Sequence, residues 1–195
     1  TLSNASYQTV TVDYVSAGGT ATEDTDYPAA SGTLTFNPGA TSQTVVVTPT
    51  SDTVDENDEA FTVTLSTPIN TSISGGTGTG TITDDDAPPS VSVAGDTKVE
   101  NAGPLSFTVS LSAASEKIAD VDYATADVSA TDGSDYTGVV GTVTFNPGET
   151  SKPVTVALLD DGDNEGDETL QMILTTPTNA TLGTATATGT IVDDD

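Results

Sequence analysis

Apolar and polar residues alternate along much of this chain with a period of two positions. In the clearest case Leu105, Phe107, Val109 and Leu111 are separated from one another by serine and threonine. Alternation of this kind predicts a strand that buries one face and exposes the other. No segment carries apolar residues at the three- and four-residue spacing of a helix, so the pattern predicts an all-β protein.

Further alternating runs predict about seven antiparallel strands in each complete stretch of ~109 residues, as in an immunoglobulin-like β-sandwich. The sequence Asn-Pro-Gly follows both Phe36 and Phe145. It is a turn signal, because proline presets φ and glycine accepts positive φ. Another leading strand is predicted near Ser90–Val93. The inward-facing sets predicted in the first half are Val10, Val12 and Tyr14; Leu34 and Phe36; Val45 and Val47; and Phe61, Val63 and Leu65.

The chain contains an internal repeat. When it is shifted by 109 positions, residues 1–86 align with 110–195 without a gap, and 39 of the 86 positions are identical. We therefore predict two domains, 1–86 and 87–195, with a short, stiff, proline-containing joint at Asp84–Pro89. Residues 87–109 have no counterpart, so the first domain is expected to lack its first strand and most of its second. Either the chain is a fragment of a longer array, or another chain supplies the missing strand.

Charge and composition narrow the classes of function. The chain has 30 acidic residues against three lysines, a net charge of −27, which argues against binding to nucleic acid or to anionic membrane surfaces. No apolar run approaches the ~20 residues of a membrane span. Cysteine and histidine are absent, which removes the usual nucleophile–base pairs and most zinc or iron chemistry. We expect no enzyme, and we expect any metal to be bound through oxygen, which suits calcium or magnesium.

Much of the negative charge lies in short runs at the ends of predicted strands. Residues 160–168 contain six carboxylates in nine positions, and residues 52–59 repeat this loop one period earlier. Three consecutive aspartates close each repeat, at 84–86 and 193–195. Carboxylates crowded in this way repel one another unless a cation neutralises them. General surface acidity would scatter them, and a glycosidase would need only a pair, so the pattern favours a divalent-metal site.

Several ordered motifs resemble the Calx-β family. They are the Ser/Thr-Asp-Tyr element, the Gly-Thr-x-Thr-Phe-x-Pro-Gly strand and turn, the Asp-Asp-x-x-x-Glu-x-x-Glu loop and the closing Asp-Asp-Asp. The resemblance covers both repeats. It implies a seven-stranded sandwich that binds calcium, as in the regulatory region of the sodium–calcium exchanger. Similar modules recur in large secreted bacterial and cell-surface adhesins.

The resemblance also implies which residues are calcium ligands. In the second repeat they are Glu100, Asp135, Asp160, Asp161, Glu165, Glu168, Asp193, Asp194 and Asp195. In the first repeat they are Asp26, Asp52, Glu56, Glu59, Asp84, Asp85 and Asp86. Ser51 stands where the second repeat has Asp160, and the counterpart of Glu100 lies outside the chain, so the first site is poorer by two carboxylates. Calcium accepts about six to eight oxygens, so the second set suffices for more than one ion.

Three functional hypotheses follow. The first is a pair of calcium-binding structural or adhesive modules of a secreted or cell-surface repeat protein, in which calcium (Ca2+) rigidifies the domain tips and the joint. Its expected partners are calcium ions, adjacent repeats and cell-surface or matrix ligands, with no nucleic acid and no membrane insertion. The second is a self-assembling extracellular fibre subunit completed by strand donation from a neighbouring chain. The third is a calcium-sensing regulatory module of a transporter or receptor.

Overall fold

The computed structural model describes residues 1–162 and 164–194. Among these residues the regular structure is almost entirely β, with a single-turn 3-10 helix at Glu100–Ala102. None of the described helical structure is long and apolar enough to cross a bilayer. The chain divides into two compact units. Unit 1 comprises Thr1–Thr53 and Asn57–Asp85, and unit 2 comprises Val54–Glu56 and Asp86–Asp195.

Unit 1 is built on an antiparallel sheet of four strands. They are β1 (Val10–Gly18), β2 (Ser31–Phe36), β3 (Glu59–Ile69) and β4 (Thr77–Ile82), and their order in the sheet is β2-β1-β3-β4. The side chains of Val10, Val12 and Phe36 are buried on the inner face, as their alternation predicts. A second small cluster contains Tyr27 and Phe61, whose stacked ring centroids lie 4.5 Å apart.

Unit 2 is a sandwich of two sheets. Its strands are β5 (Ser90–Ala94), β6 (Thr97–Val99), β7 (Leu105–Leu111), β8 (Ala119–Asp127), β9 (Val140–Phe145), β10 (Ser151–Val156), β11 (Glu168–Thr178), β12 (Thr181–Leu182) and β13 (Thr186–Val192). One sheet has the order β10-β7-β5-β12 and the other has the order β6-β13-β11-β8-β9. The predicted all-β sandwich is confirmed.

Two strand pairs depart from the antiparallel pairing that the sequence predicts. Strand β5 runs parallel to β12, and β6 runs parallel to β13. The reason is that Gly95 and Asp96 carry the first strand of unit 2 from one sheet into the other. A Cβ at Gly95 would overlap the carbonyl oxygen of Thr188, and the Asp96 carboxylate accepts a hydrogen bond of 2.9 Å from the backbone N–H of Ser106. Glycine is therefore needed for close approach at this crossing.

A continuous hydrophobic core lies between the two sheets of unit 2. The inward-facing residues predicted for β7 are all buried: Leu105, Phe107 and Val109 are fully enclosed, and Leu111 is 7% exposed. A Cβ at Gly189 would come within 2.6 Å of the Phe107 ring, so β7 packs closely on β13. Full burial of one side chain of this size contributes about 1.5–3 kcal/mol to the free energy of unfolding. The buried face of β7 is therefore a main source of the stability of unit 2.

The strand predicted at Val45 and Val47 is not formed. Residues 41–50 contain no strand, although the equivalent segment of unit 2 is β10, which pairs with β7 along its whole length. The repeat alignment gives unit 1 no counterpart of most of β7. Alternation alone was a poor predictor here, because a strand forms only where a neighbouring strand accepts its backbone hydrogen bonds.

The repeated tyrosines provide a matched test of one buried hydrogen bond. The Tyr136 hydroxyl donates to Asp127 Oδ1 at 2.5 Å, whereas Gly18 occupies the equivalent position beside Tyr27. We expect Tyr136→Phe to lower the free energy of unfolding by about 1–2 kcal/mol, because a charge-assisted hydrogen bond is lost. We expect Tyr27→Phe to change it by less than about 0.5 kcal/mol. Urea unfolding of both variants checks this, and equal losses would contradict it.

Candidate metal centre

Acidic side chains from four separate segments of unit 2 come together. Glu100 begins the 3-10 turn after β6, and Asp135 lies in the turn between β8 and β9. The 160–168 loop joins β10 to β11, and Asp193 and Asp194 follow β13. Each segment is a connection at a strand end, so the sandwich gathers residues that are distant in sequence.

Two groups of three carboxylates form in this cluster. In the first group, Glu100, Asp160 and Asp194 each offer an oxygen, and these oxygens lie within 4.8 Å of one another. In the second group, Asp135, Glu165 and Glu168 do the same. These spacings allow three carboxylates to contact a shared cation, because calcium–oxygen distances are about 2.3–2.6 Å.

Burial and the neighbouring negative charges raise the pKa values of two carboxyl groups in the cluster, those of Glu168 and Glu100. Burial, a hydrogen bond with Asp135 and the nearby charges of Asp135, Glu165 and Glu100 together raise the pKa of Glu168 to about 7. Burial also raises the pKa of Glu100, and the charges of Asp193, Asp160, Asp194 and Asp161 add to this effect. Glu100 therefore interacts with both groups. The acids form one electrostatic cluster, which favours either bound protons or a bound cation.

The cluster also contains buried oxygens that lack a hydrogen-bond donor. Within the described part of the chain, Glu100 Oε1 and Asp193 Oδ1 are shielded from solvent and have no hydrogen-bond partner. An unpartnered buried carboxylate oxygen is costly unless a proton or a metal ion satisfies it. The donors are hard oxygens in an irregular arrangement, which fits calcium better than magnesium, since magnesium requires near-octahedral geometry and retains its waters.

Hydrogen bonds orient two of the acidic side chains. The backbone N–H of Thr131 donates to Asp135 Oδ2 at 2.6 Å, which fixes that carboxylate in its turn. The Asn101 side-chain amide donates to Asp194 Oδ2. Sequence reasoning did not single out Asn101; its position beside Glu100 was the available signal, and only the fold shows that it reaches the closing aspartates.

Three other predicted ligands of unit 2 are not members of either group of three carboxylates that the structure describes. Asp161 and Asp193 act electrostatically on Glu100 but belong to neither group of three. Asp195 lies outside the described residues. The assignment of individual ligands in this cluster therefore stays a prediction.

The acidic residues of the first repeat are divided between the two units. Among its predicted ligands, Asp26 and Glu59 lie in unit 1, whereas Glu56 lies in the short segment that belongs to unit 2. Asp26 is oriented like its counterpart, because the backbone N–H of Thr22 donates to its carboxylate at 2.5 Å. Of the other predicted ligands, Asp52, Asp84 and Asp85 lie in unit 1 and Asp86 begins the main segment of unit 2. The weaker first site stays a prediction.

The raised pKa of Glu168 predicts that calcium binding depends on pH. Below about 7 this carboxyl is protonated and must release its proton to act as a ligand, so affinity is expected to fall by about tenfold per pH unit for one displaced proton. In the absence of calcium the sign reverses: a folded-state pKa above the ordinary value stabilises the folded state as pH falls from 7 towards 4.5. Calorimetric titration at pH 8, 7 and 6 measures the first effect, and an unchanged affinity would contradict the prediction.

A comparison with protein-family models matches the chain twice to the Calx-beta domain, at residues 2–86 and 84–195. Curated relatives include sodium/calcium exchanger 1 of Bos taurus and of Cavia porcellus, each 39% identical over an aligned region that covers 38% of this chain and 10% of the relative. The chain thus spans about a tenth of the length of these relatives.

Solved structures agree with this family. The apo form of the Calx CBD1 domain matches with a TM-score of 0.51 and 29% identity, covering 54% of this chain and 98% of that domain. The CBD12 tandem from CALX1.2 matches with a TM-score of 0.50 and 21% identity, covering 95% and 88%, which indicates a shared fold. The resemblance found in the sequence motifs is confirmed: this chain belongs to the Calx-beta domain family.

Proposed function

We propose that this chain is a calcium-binding regulatory module of a longer protein. The observation that carries the proposal is the cluster in unit 2, where two groups of three carboxylates adjoin buried oxygens of Glu100 and Asp193 that lack donors. A cation bound from solution would offset the repulsion among these carboxylates and satisfy the two oxygens.

Some residues of the site orient the carboxylates, and others supply the negative charge that would bind calcium. Thr131 and Asn101 hold the carboxylates of Asp135 and Asp194 in place, so less side-chain entropy is lost when an ion binds. Glu100, which interacts with both groups, links them. A bound calcium ion supplies positive charge that lowers the pKa values of its ligands and satisfies their unpartnered oxygens.

The comparisons favour regulation over adhesion as the purpose of this binding. The curated relatives are sodium/calcium exchangers, and sensing of calcium by such a protein requires a module whose conformation depends on the ion. The alternative, a structural or adhesive module of a secreted or cell-surface protein stiffened by calcium, has the same site chemistry. Affinity separates them: sensor sites have Kd values of about 10⁻⁷–10⁻⁵ M, and extracellular structural modules about 10⁻⁴–10⁻³ M.

Isothermal titration of the intact chain with calcium at pH 7.5 tests the proposal. We expect binding in the micromolar range, with more than one ion per chain. Glu100→Gln should weaken the tightest site by about tenfold or more, because one charged ligand is removed. Glu149→Gln is the matched control, since Glu149 lies in a different turn, where it pairs with Lys152 at 2.8 Å.

Three results would count against the proposal that this chain is a calcium-binding regulatory module. Absence of binding would exclude a calcium site. Millimolar affinity would favour the structural alternative. Equal weakening by Glu100→Gln and Glu149→Gln would show a general effect of net charge rather than a specific site.

A further inference from the structure

The acidic loop that joins β10 to β11 is bonded at both of its ends to one turn between β8 and β9. This anchoring turn consists of residues 129–137. Before the loop, the backbone N–H of Leu159 donates to the carbonyl of Asp135 at 3.0 Å. After the loop, the backbone N–H of Ser129 donates to the carbonyl of Thr169 at 3.0 Å. The anchoring turn therefore holds the two strand ends between which the acidic loop runs.

The side chain of Ser129 makes a bond that a neighbouring strand would otherwise make. Strand β8 ends at Asp127, which is opposite Leu170 of β11. One residue earlier in β11, the backbone N–H of Thr169 donates to Ser129 Oγ at 2.8 Å. The hydroxyl takes the place of a strand carbonyl as the acceptor for this N–H. The turn is thereby attached to the residue that follows Glu168, the first residue of β11.

The anchoring turn also carries a carboxylate that approaches Glu168. The side chain of Asp135 is oriented by the backbone N–H of Thr131, which donates to it at 2.6 Å. Carboxylate oxygens of Asp135 and Glu168 lie within 4.8 Å of each other. Two negative charges at this separation repel one another. The bonds between Ser129 and the start of β11 oppose that repulsion, because they attach the turn to the strand.

The first repeat has the same arrangement with a different hydroxyl group. The backbone N–H of Ala60 donates to Thr20 Oγ1 at 2.8 Å, and the N–H of Thr50 donates to the carbonyl of Asp26 at 2.8 Å. A shift of 109 positions brings Thr20 onto Ser129. Serine and threonine therefore make the same bond at this position, and threonine is a conservative replacement for Ser129.

We propose that Ser129 is a positioning residue of the calcium site in unit 2. Its hydroxyl acts through Thr169 to hold Glu168 beside Asp135. The group that these two acids form with Glu165 is thereby arranged before an ion binds. Such preorganisation raises affinity, because less conformational freedom is lost on binding. This role rests on the proposed function, since it concerns an ion that these carboxylates bind.

Calorimetric titration of the intact chain with calcium compares the parent with three serine variants. We expect Ser129→Ala to weaken the binding of one ion by about three- to tenfold, because the hydrogen bond to Thr169 is lost, and to leave the other ion unchanged. Ser129→Thr should bind as the parent does, since Thr20 makes the equivalent bond. Ser151→Ala is the matched control, because Ser151 is exposed at the end of β10 that is remote from the acidic loop.

Two further backgrounds separate positioning from general support of the fold. In a Glu168→Gln chain, Ser129→Ala should change calcium affinity by less than about twofold, because the carboxylate that it positions has been removed. In a Glu100→Gln chain its full effect should remain, since Glu100 belongs to the other group of carboxylates. Circular dichroism confirms that each variant is folded.

The outcomes distinguish this role from the proposed function. Equal affinities of Ser129→Ala and the parent would overturn the role and leave the proposed function intact. Weakening of both ions, or an undiminished effect in the Glu168→Gln chain, would show that Ser129 only supports the fold and would also overturn the role. Absence of calcium binding by the parent would overturn the role and the proposed function together.

Discussion

Removal of calcium is expected to lower the melting temperature of unit 2 by about 20 °C or more. An ion that binds only the folded state raises the free energy of unfolding by about 2.7 kcal/mol when its concentration is a hundred times its Kd. If each of the two groups of carboxylates binds one ion, the total is about 5 kcal/mol. For a domain of slightly more than 100 residues, each kcal/mol shifts the unfolding midpoint by about 4 °C. Scanning calorimetry with excess calcium and with excess chelator measures the difference.

Controls separate a specific site from general screening of charge. Magnesium at equal ionic strength should give a much smaller shift, because it keeps its waters and prefers fewer protein ligands. Glu168→Gln should reduce the calcium-dependent shift, whereas Glu149→Gln should not. A melting temperature that is the same with calcium and with chelator would contradict the proposed function directly.

Replacement of Phe107 by alanine is expected to lower the free energy of unfolding by about 3–5 kcal/mol. The ring is fully buried between the sheets and packs on Gly189 of β13. Because glycine has no side chain with which to fill the vacated volume, the cavity should remain largely open. This places Phe107→Ala at the upper end of the usual range for core truncations.

Thr108→Ala provides the matched control for this core substitution. Thr108 is the next residue of β7, and its side chain is exposed. Its replacement should change stability by less than about 0.5 kcal/mol. Equilibrium unfolding in urea compares both variants with the parent chain, and a loss below about 1 kcal/mol for Phe107→Ala would show that the core relaxes around the deletion.

Sequence patterns predicted the fold well wherever burial determines the pattern. The alternation in β7 identified all four of its inward residues, because a strand with one face in the core cannot change register without exposing them. The same rule failed at Val45 and Val47. Those residues alternate as their counterparts in β10 do, but strand formation also depends on a partner, which local sequence does not report.

The candidate metal site was also predictable from the sequence only in part. The acidic loops were visible in the sequence because charge crowding is a local property. Which acids approach one another depends on the path of the chain, and only the fold separates Glu100, Asp160 and Asp194 from Asp135 and Glu168. The contribution of Asn101 was missed for the same reason: an amide is a weak signal until its carboxylate partner is located. The expectation that the chain is not an enzyme stays a prediction.

The crossing of the first strand at Gly95 has a mechanical consequence. Strand β6 runs parallel to β13, so the first and last strands of the second sheet point the same way. Tension applied between the two ends of unit 2 would therefore load the β6–β13 ladder in shear, with its hydrogen bonds sharing the force, rather than unzipping them one at a time. A polypeptide path of this kind allows a small sandwich to transmit a pull along its length before it yields.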